Sequence, residues 1–289
     1  MFSTVLVATD LSPASDRVIA CMRGLRPLGT TRIILTHALG VRHLEEMVRL
    51  LAQQAEPKLH QQKQALEDQG FAVETVMAPG IPSMEINRVA SEKRASMIVI
   101  GSHGATLGRE VLLGGVALEV LHRADLPVFI AQLKIFEDVE KPCGMICEDF
   151  HTQVLFATDF SDIAERAFTY VEQVVRGGGR RVTLLHVQDK SRIHGHLSDK
   201  LDEFNRIDRE RLDRMAVRLK ELGATEVSIN LPYGVPKQEI ARSAEQGGYS
   251  LIVMGTQGRG YFGELLMGSV AHHVARHTLV PTLLIPPLR

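Results

Sequence analysis

Three cysteines in 289 residues are too few for a disulfide framework, and two of them, Cys143 and Cys147, share one short segment. A reducing, cytoplasmic setting is the expectation. Charge of one sign is equally scarce. The 33 basic and 34 acidic residues leave a net charge of -1, which gives no electrostatic footprint for DNA or RNA. No apolar run reaches the ~18 residues of a membrane span. The opening MFSTVLVATD enters a strand pattern at once, so neither a signal peptide nor a membrane partner is expected. The chain also lacks G-x-x-x-x-G-K-[ST], which argues against a P-loop ATPase. No nucleophile–base–orienter set is visible and no carboxylate pair has a catalytic spacing. No catalytic residue is therefore assigned.

What is present is a duplication. VLVATDLSPASDRVI (5–19) matches VLFATDFSDIAERAF (154–168), and the run from Gly80 matches the run from Gly234. The offset is 149 at Asp10/Asp159 and 154 at Gly101/Gly255, so the second copy carries five extra residues between them. A composition of 45% hydrophobic and 23% charged residues supports two cores at this length. The expected domains are 1–135 and 152–289, with residues 136–151 as linker. Each copy alternates short Val/Ile/Leu-rich strands with helical stretches, which predicts right-handed βαβ crossovers and a five-stranded parallel sheet flanked by helices. The strands are predicted near 4–9, 32–37, 71–77, 97–101 and 127–131, and again near 153–158, 181–187, 225–231, 250–255 and 281–285. Pro57 is expected to kink or split the first long helix.

The second copy carries GTQGRGYFGELLMGS at 255–269, between an apolar strand and a helix-like stretch. Strand, glycine loop, glycine-serine and helix form the layout of a phosphate cradle. Glycines admit backbone N–H groups to the anion, and the helix N-terminus adds unpaired donors and a positive dipole end. In a doubly wound sheet Asp159, after the first strand, can lie beside Gly255, at the end of the fourth. The carboxylate then faces a sugar or a metal while the glycine backbone holds phosphates. Ser269 adds a hydroxyl and Arg259 a charge.

These elements resemble the universal stress protein family in its tandem two-domain form. The carrying residues are VLFATDFS, LLHV, VMGTQG and the G-x2-G-x9-G-S pattern ending at Ser269. The resemblance implies Rossmann-like domains of the flavodoxin or adenine nucleotide alpha hydrolase kind, a subset of which bind ATP, with Mg2+ as a possible companion. By motif, Asp159 and the backbone of Val187 would hold the adenosine end. Gly255, Gly258, Gly268, Ser269 and the amide of Val270 would hold the phosphates. The resemblance further implies an internal domain–domain pseudo-dimer, with a homodimer as the further assembly open to it. In the first copy Asp10, Gly101, Gly104 and Gly114 are in place, but Gly115 replaces the serine and Ala38 stands at the Val187 position. Weaker binding is expected there. The expected role is a nucleotide-dependent signalling and interaction module; the alternatives are a scaffold without nucleotide and a slow ATPase.

Other motifs carry less. Gly258–Gly263 spells G-x-G-x-x-G but follows the fourth strand rather than the first, which speaks against NAD. Cys143, Cys147 and His151 are low-probability metal ligands; no metal site is expected. The pair His273 and His277 shares a helix face that is expected to be solvated. His37 and His186 are expected as satisfied core histidines, Cys21 as a core residue, and Ser12 and Ser161 as helix caps.

Overall fold

The computed structural model describes residues 2–41, 44–102, 113–132, 150–193, 200–259 and 267–288. It divides into two compact units, Met1–Asp149 and Phe150–Leu288.

In the first unit, strands β1 (Thr4–Thr9), β2 (Arg32–Ala38), β3 (Ala72–Ala78), β4 (Met97–Gly101) and β5 (Val128–Ala131) alternate with helices α1 (Pro13–Ala20), α2 (Glu45–Glu67), α3 (Pro82–Glu92) and α4 (Gly115–Arg123). The strands pair in the order β3-β2-β1-β4-β5, all parallel. Strands β1, β4 and β5 are buried along nearly their whole length, so their Val/Ile-rich runs are covered on both faces. Helix α1 starts where Ser12 accepts a hydrogen bond from the Ser15 N–H and Pro13 presets the first turn. The expected break at Pro57 does not occur: α2 is one helix. A proline inside a helix costs ~3 kcal/mol. Here Pro57 lies on the exposed face, and the burial of Ala55, Leu59, Gln62 and Leu66 on the other face offsets that cost.

The second unit repeats the plan. Strands β6 (Gln153–Ala157), β7 (Arg181–Leu185), β9 (Glu226–Asn230), β11 (Leu251–Gly255) and β12 (Thr282–Ile285) pair in parallel in the order β9-β7-β6-β11-β12. Its helices are α5 (Asp162–Arg176), α6 (Leu201–Glu221), α7 (Pro236–Gln246) and α8 (Ser269–His277). The second strand is shorter than predicted. It stops at Leu185, and after two residues the chain forms a separate two-stranded pairing of β8 (Gln188–Asp189) with β10 (Tyr233–Gly234). A helical turn, Lys190–Ile193, follows.

Phe150 and His151 are the only described residues of the expected linker, and Phe150 is buried in the second unit. Cys21 is buried, as expected.

Candidate functional site

Strands β6 and β11 are neighbours, with Val154 opposite Leu251 and Phe156 opposite Val253. Their carboxyl ends mark the switch in strand order, where open α/β sheets form a crevice. Two loops leave these ends, and both are built tightly.

The first loop is Thr158-Asp159-Phe160-Ser161. Phe160 has φ 58°, in the left-handed region, which costs a non-glycine residue about 1–3 kcal/mol. Its N–H donates to Thr158 Oγ1 at 3.0 Å. Its ring packs on His186 at 4.6 Å, with the Arg211 and Arg259 guanidiniums at 5.1 and 5.7 Å from its centre. This turn aims Asp159. One carboxylate oxygen accepts from the Ser161 N–H at 3.1 Å and its hydroxyl at 2.6 Å. The other accepts from the Arg259 N–H at 2.8 Å, joining the first loop to the second. Ser161 also caps α5, as expected.

The second loop needs its glycines for space. A Cβ on Gly258 would stand 2.4 Å from Asp159 Oδ2, and one on Gly255 would stand 2.8 Å from the Ile163 side chain. Gly268 donates its N–H to the Thr256 carbonyl at 2.7 Å and forms the N-cap of α8 without any side-chain cap. The first-turn N–H groups of α8 therefore lack the side-chain acceptor a capping serine or aspartate would give them. Ser269 and Val270, at this helix start, line the same cavity as Asp159, Gly255, Gly258 and Arg259.

That cavity measures about 460 Å³, well within the range of small-molecule sites. Val187 lies on its wall and is buried. The N–H groups on either side, of His186 and Gln188, bond to the Asn230 and Pro232 carbonyls. By the alternation of an extended chain, Val187 turns its own N–H and C=O to the opposite side. All eight residues expected to form the second-copy site thus line one cavity.

Behind Val187 sits a group that motif reading missed. His186 is buried, with Nδ1 2.7 Å from the Thr158 carbonyl. A carbonyl only accepts, so Nδ1 carries the proton. The other nitrogen, Nε2, faces Asp208 Oδ2 at 3.5 Å, and the Gln188 side-chain amide donates to that same oxygen at 3.0 Å. Arg211 lies 3.4 Å from Asp208 Oδ1. Burial works to raise the Asp208 pKa, but the hydrogen bond and charge of His186, the Gln188 amide and the Arg211 charge outweigh it and hold the carboxyl below its ordinary range. His186 is thus the satisfied buried histidine expected, and it lines the cleft as well. One signal could have found Asp208: it falls in register with Leu212 and Leu219 on the buried face of an otherwise charged helix.

In the first unit Asp10, Ala38, Gly101, Gly114 and Gly115 gather at the carboxyl end of the sheet, after or at the ends of β1, β2 and β4 or at the start of α4. Gly104 and the neighbouring His103 lie outside the described residues. Leu11 repeats the left-handed turn with φ 63°. Gly114 repeats the Gly268 bond, donating to the Ser102 carbonyl at 2.8 Å and starting α4 uncapped. A side chain on Gly115 would meet nothing within 4 Å.

Of the candidate metal ligands, Cys143 and Cys147 lie outside the described residues. His151 has a buried Nδ1 without a hydrogen-bond partner. Among the described residues no group of three or more His, Cys, Asp or Glu side chains is placed to hold a metal. His273 and His277 do share a face; their rings stack at 4.1 Å, and burial, followed by the charges of His277, Lys237 and His272, lowers the His273 pKa. No helix among the described residues is long and apolar enough to cross a membrane.

A doubly wound parallel sheet with an acidic turn and an uncapped, glycine-bracketed helix start at its switch point defines a Rossmann-like domain, and this chain holds two. The family model described as the universal stress protein family matches residues 1–132 and 151–286, so the chain belongs to that family. A universal stress protein of Mycolicibacterium smegmatis is 26% identical over 298 residues, covering 98% of this chain and 97% of that one. A shorter one from Methanocaldococcus jannaschii is 27% identical over 157 residues, 46% of this chain and 97% of its own. The crystal structure of a universal stress protein from Archaeoglobus fulgidus aligns with a TM-score of 0.75 at 26% identity, covering 98% of this chain and 96% of that one.

Proposed function

We propose that the second unit binds ATP or a related adenine nucleotide and that the chain works as a nucleotide-dependent signalling and interaction module. One observation carries this reading. The uncapped start of α8 opens into a cavity of about 460 Å³ whose other walls present the Asp159 carboxylate and the backbone of Val187. Anions favour such a helix start. The phosphates would lie against Gly258, Gly268, Ser269 and the Val270 amide, with the ribose toward Asp159 and the base at Val187. Any Mg2+ would enter on the phosphates, since Asp159 already accepts from Ser161 and Arg259.

The first unit is the weaker binder in this reading. Gly115 supplies no hydroxyl, and a hydrogen bond to a charged group contributes about 1.5–3 kcal/mol.

Calorimetry and thermal unfolding of the full chain test the proposal. Saturating ATP, at about 100 times its Kd, should stabilise the fold by about 2.7 kcal/mol. Gly268→Val should remove that response, because even a Cβ there stands 3.1 Å from the Thr256 carbonyl. Absence of any ATP affinity in the unaltered protein sinks the reading.

A further inference from the structure

Backbone alone does not choose a purine. An N–H and C=O pair such as that of Val187 can serve adenine, which offers a ring nitrogen acceptor and an amino donor. It can also serve a 6-oxopurine, by a small shift that pairs the N–H with O6 and the C=O with the ring N–H. Selection needs a further group of fixed character. Asp208 has that character: an ionised carboxylate accepts and cannot donate. It lines the cavity together with Val187 and Gln188, yet it sits on α6, a different element from either cradle loop.

Its orientation is fixed from several sides. The Gln188 amide donates to one carboxylate oxygen and Arg211 lies beside the other, with His186 Nε2 3.5 Å from the first and able to donate only when the ring carries both protons. Gln188 is itself tied through its N–H to the Pro232 carbonyl. Each carboxylate oxygen has more than one acceptor position, so a further donor from a ligand can be taken without displacing these partners. A ligand carbonyl in the same place would set oxygen against oxygen in a buried site, where an unpaired polar group is costly.

The first unit tests the specificity of this arrangement. Gly70/Gly223, Leu66/Leu219 and Leu59/Leu212 each stand 153 positions apart, and the same step places Ala55 opposite Asp208. Ala55 is buried and can accept nothing from a base.

We infer that Asp208, held by Gln188 and Arg211, is the residue that selects amino-bearing purines over 6-oxopurines in the second-unit cavity. The inference rests on the nucleotide reading above and adds its specificity. It is tested by calorimetry of ATP, ITP and purine riboside triphosphate, which lacks any 6-substituent, on the full chain and on Asp208→Asn. In the unaltered protein ATP should bind about tenfold to a hundredfold more tightly than ITP, with the unsubstituted purine between them. Asp208→Asn, whose amide can donate to O6, should bring the ATP-to-ITP ratio to within about threefold. The comparison among the three nucleotides needs no variant, so a folding defect in Asp208→Asn leaves it intact. Equal binding of ATP and ITP by the unaltered protein overturns the inference, and so does an unchanged ratio in a folded Asp208→Asn. Both results would leave the nucleotide reading standing. Failure of every nucleotide to bind removes that reading, and this inference with it.

Discussion

The two units share a fold, a turn and a helix start, and differ in what surrounds them. Asp10 and Asp159 occupy the same place after the first strand, each followed directly by a left-handed residue. Asp10 is exposed, and one of its oxygens takes the Ser12 N–H and the hydroxyls of both Ser12 and Ser15, the two hydroxyls at 2.5 Å. Asp159 is half-buried, has Ala164 where the first unit has Ser15, and reaches across to the Arg259 N–H. The long helices diverge in parallel. In α2, buried Gln62 accepts from the Thr9 hydroxyl and donates to Asp16, latching the helix to α1 and the end of β1. In α6 the buried polar residue is Asp208, and its partners His186 and Gln188 line the cavity. Among the described contacts, the buried polar residue of the long helix latches it to a neighbouring helix in one unit and lines a cavity in the other. Loop and helix substitutions can therefore separate the functions of duplicated domains while the sheet stays unchanged.

Paired substitutions break this comparison most directly. Asp159→Ala should weaken ATP binding by tenfold or more, from the loss of charged hydrogen bonds of about 1.5–3 kcal/mol each, while Asp10→Ala leaves the affinity near its original value. Calorimetry decides it, and a loss confined to Asp10→Ala would reverse the assignment of units. Next in size is Gly258→Ala. A Cβ 2.4 Å from Asp159 Oδ2 must displace the carboxylate, and such crowding costs about 1–3 kcal/mol, read as a lower denaturant midpoint and weaker ATP binding.

Acid sharpens the contrast further. A carboxyl whose folded pKa is depressed binds fewer protons folded than unfolded. Asp208's contribution to stability is therefore fully present above its ordinary value of 3.8 and is lost as pH falls below it. Asp208→Asn should flatten that acid limb in pH-dependent unfolding, whereas Ala55→Gly, at the first unit's equivalent position, should leave its shape unchanged. The smallest effect belongs to Gly115→Ser. Nothing lies within 4 Å of the added Cβ, so stability should stay within about 0.5 kcal/mol. ATP stoichiometry should remain one per chain; a rise to two would show that the missing hydroxyl alone separates the units.

Much of this was legible in the chain. The repeat, the alternation of strands and helices and the glycine spacing all follow from local pattern, since buried strands demand apolar runs and close backbone approach demands glycine. Pro57 was misread because a local rule was applied where packing on the opposite helix face decides. The reach of the second strand was overestimated because Val187 is as apolar and buried as a strand residue. Asp208 was passed over because RIDRERLDR looks uniformly solvated in sequence; only its register on the buried stripe distinguishes it.

The sequence by itself determined two parallel α/β units, the spacing of the loop glycines and the replacement of the second copy's serine by Gly115, because these depend on neighbours along the chain. Only the tertiary structure decided that Asp159 bonds the Arg259 amide, that Val187 shares a cavity wall with it, and that His186, Gln188 and Asp208 gather beside them. Those contacts join elements far apart in sequence, and their distances are set by how sheet and helices pack rather than by any spacing a motif can record.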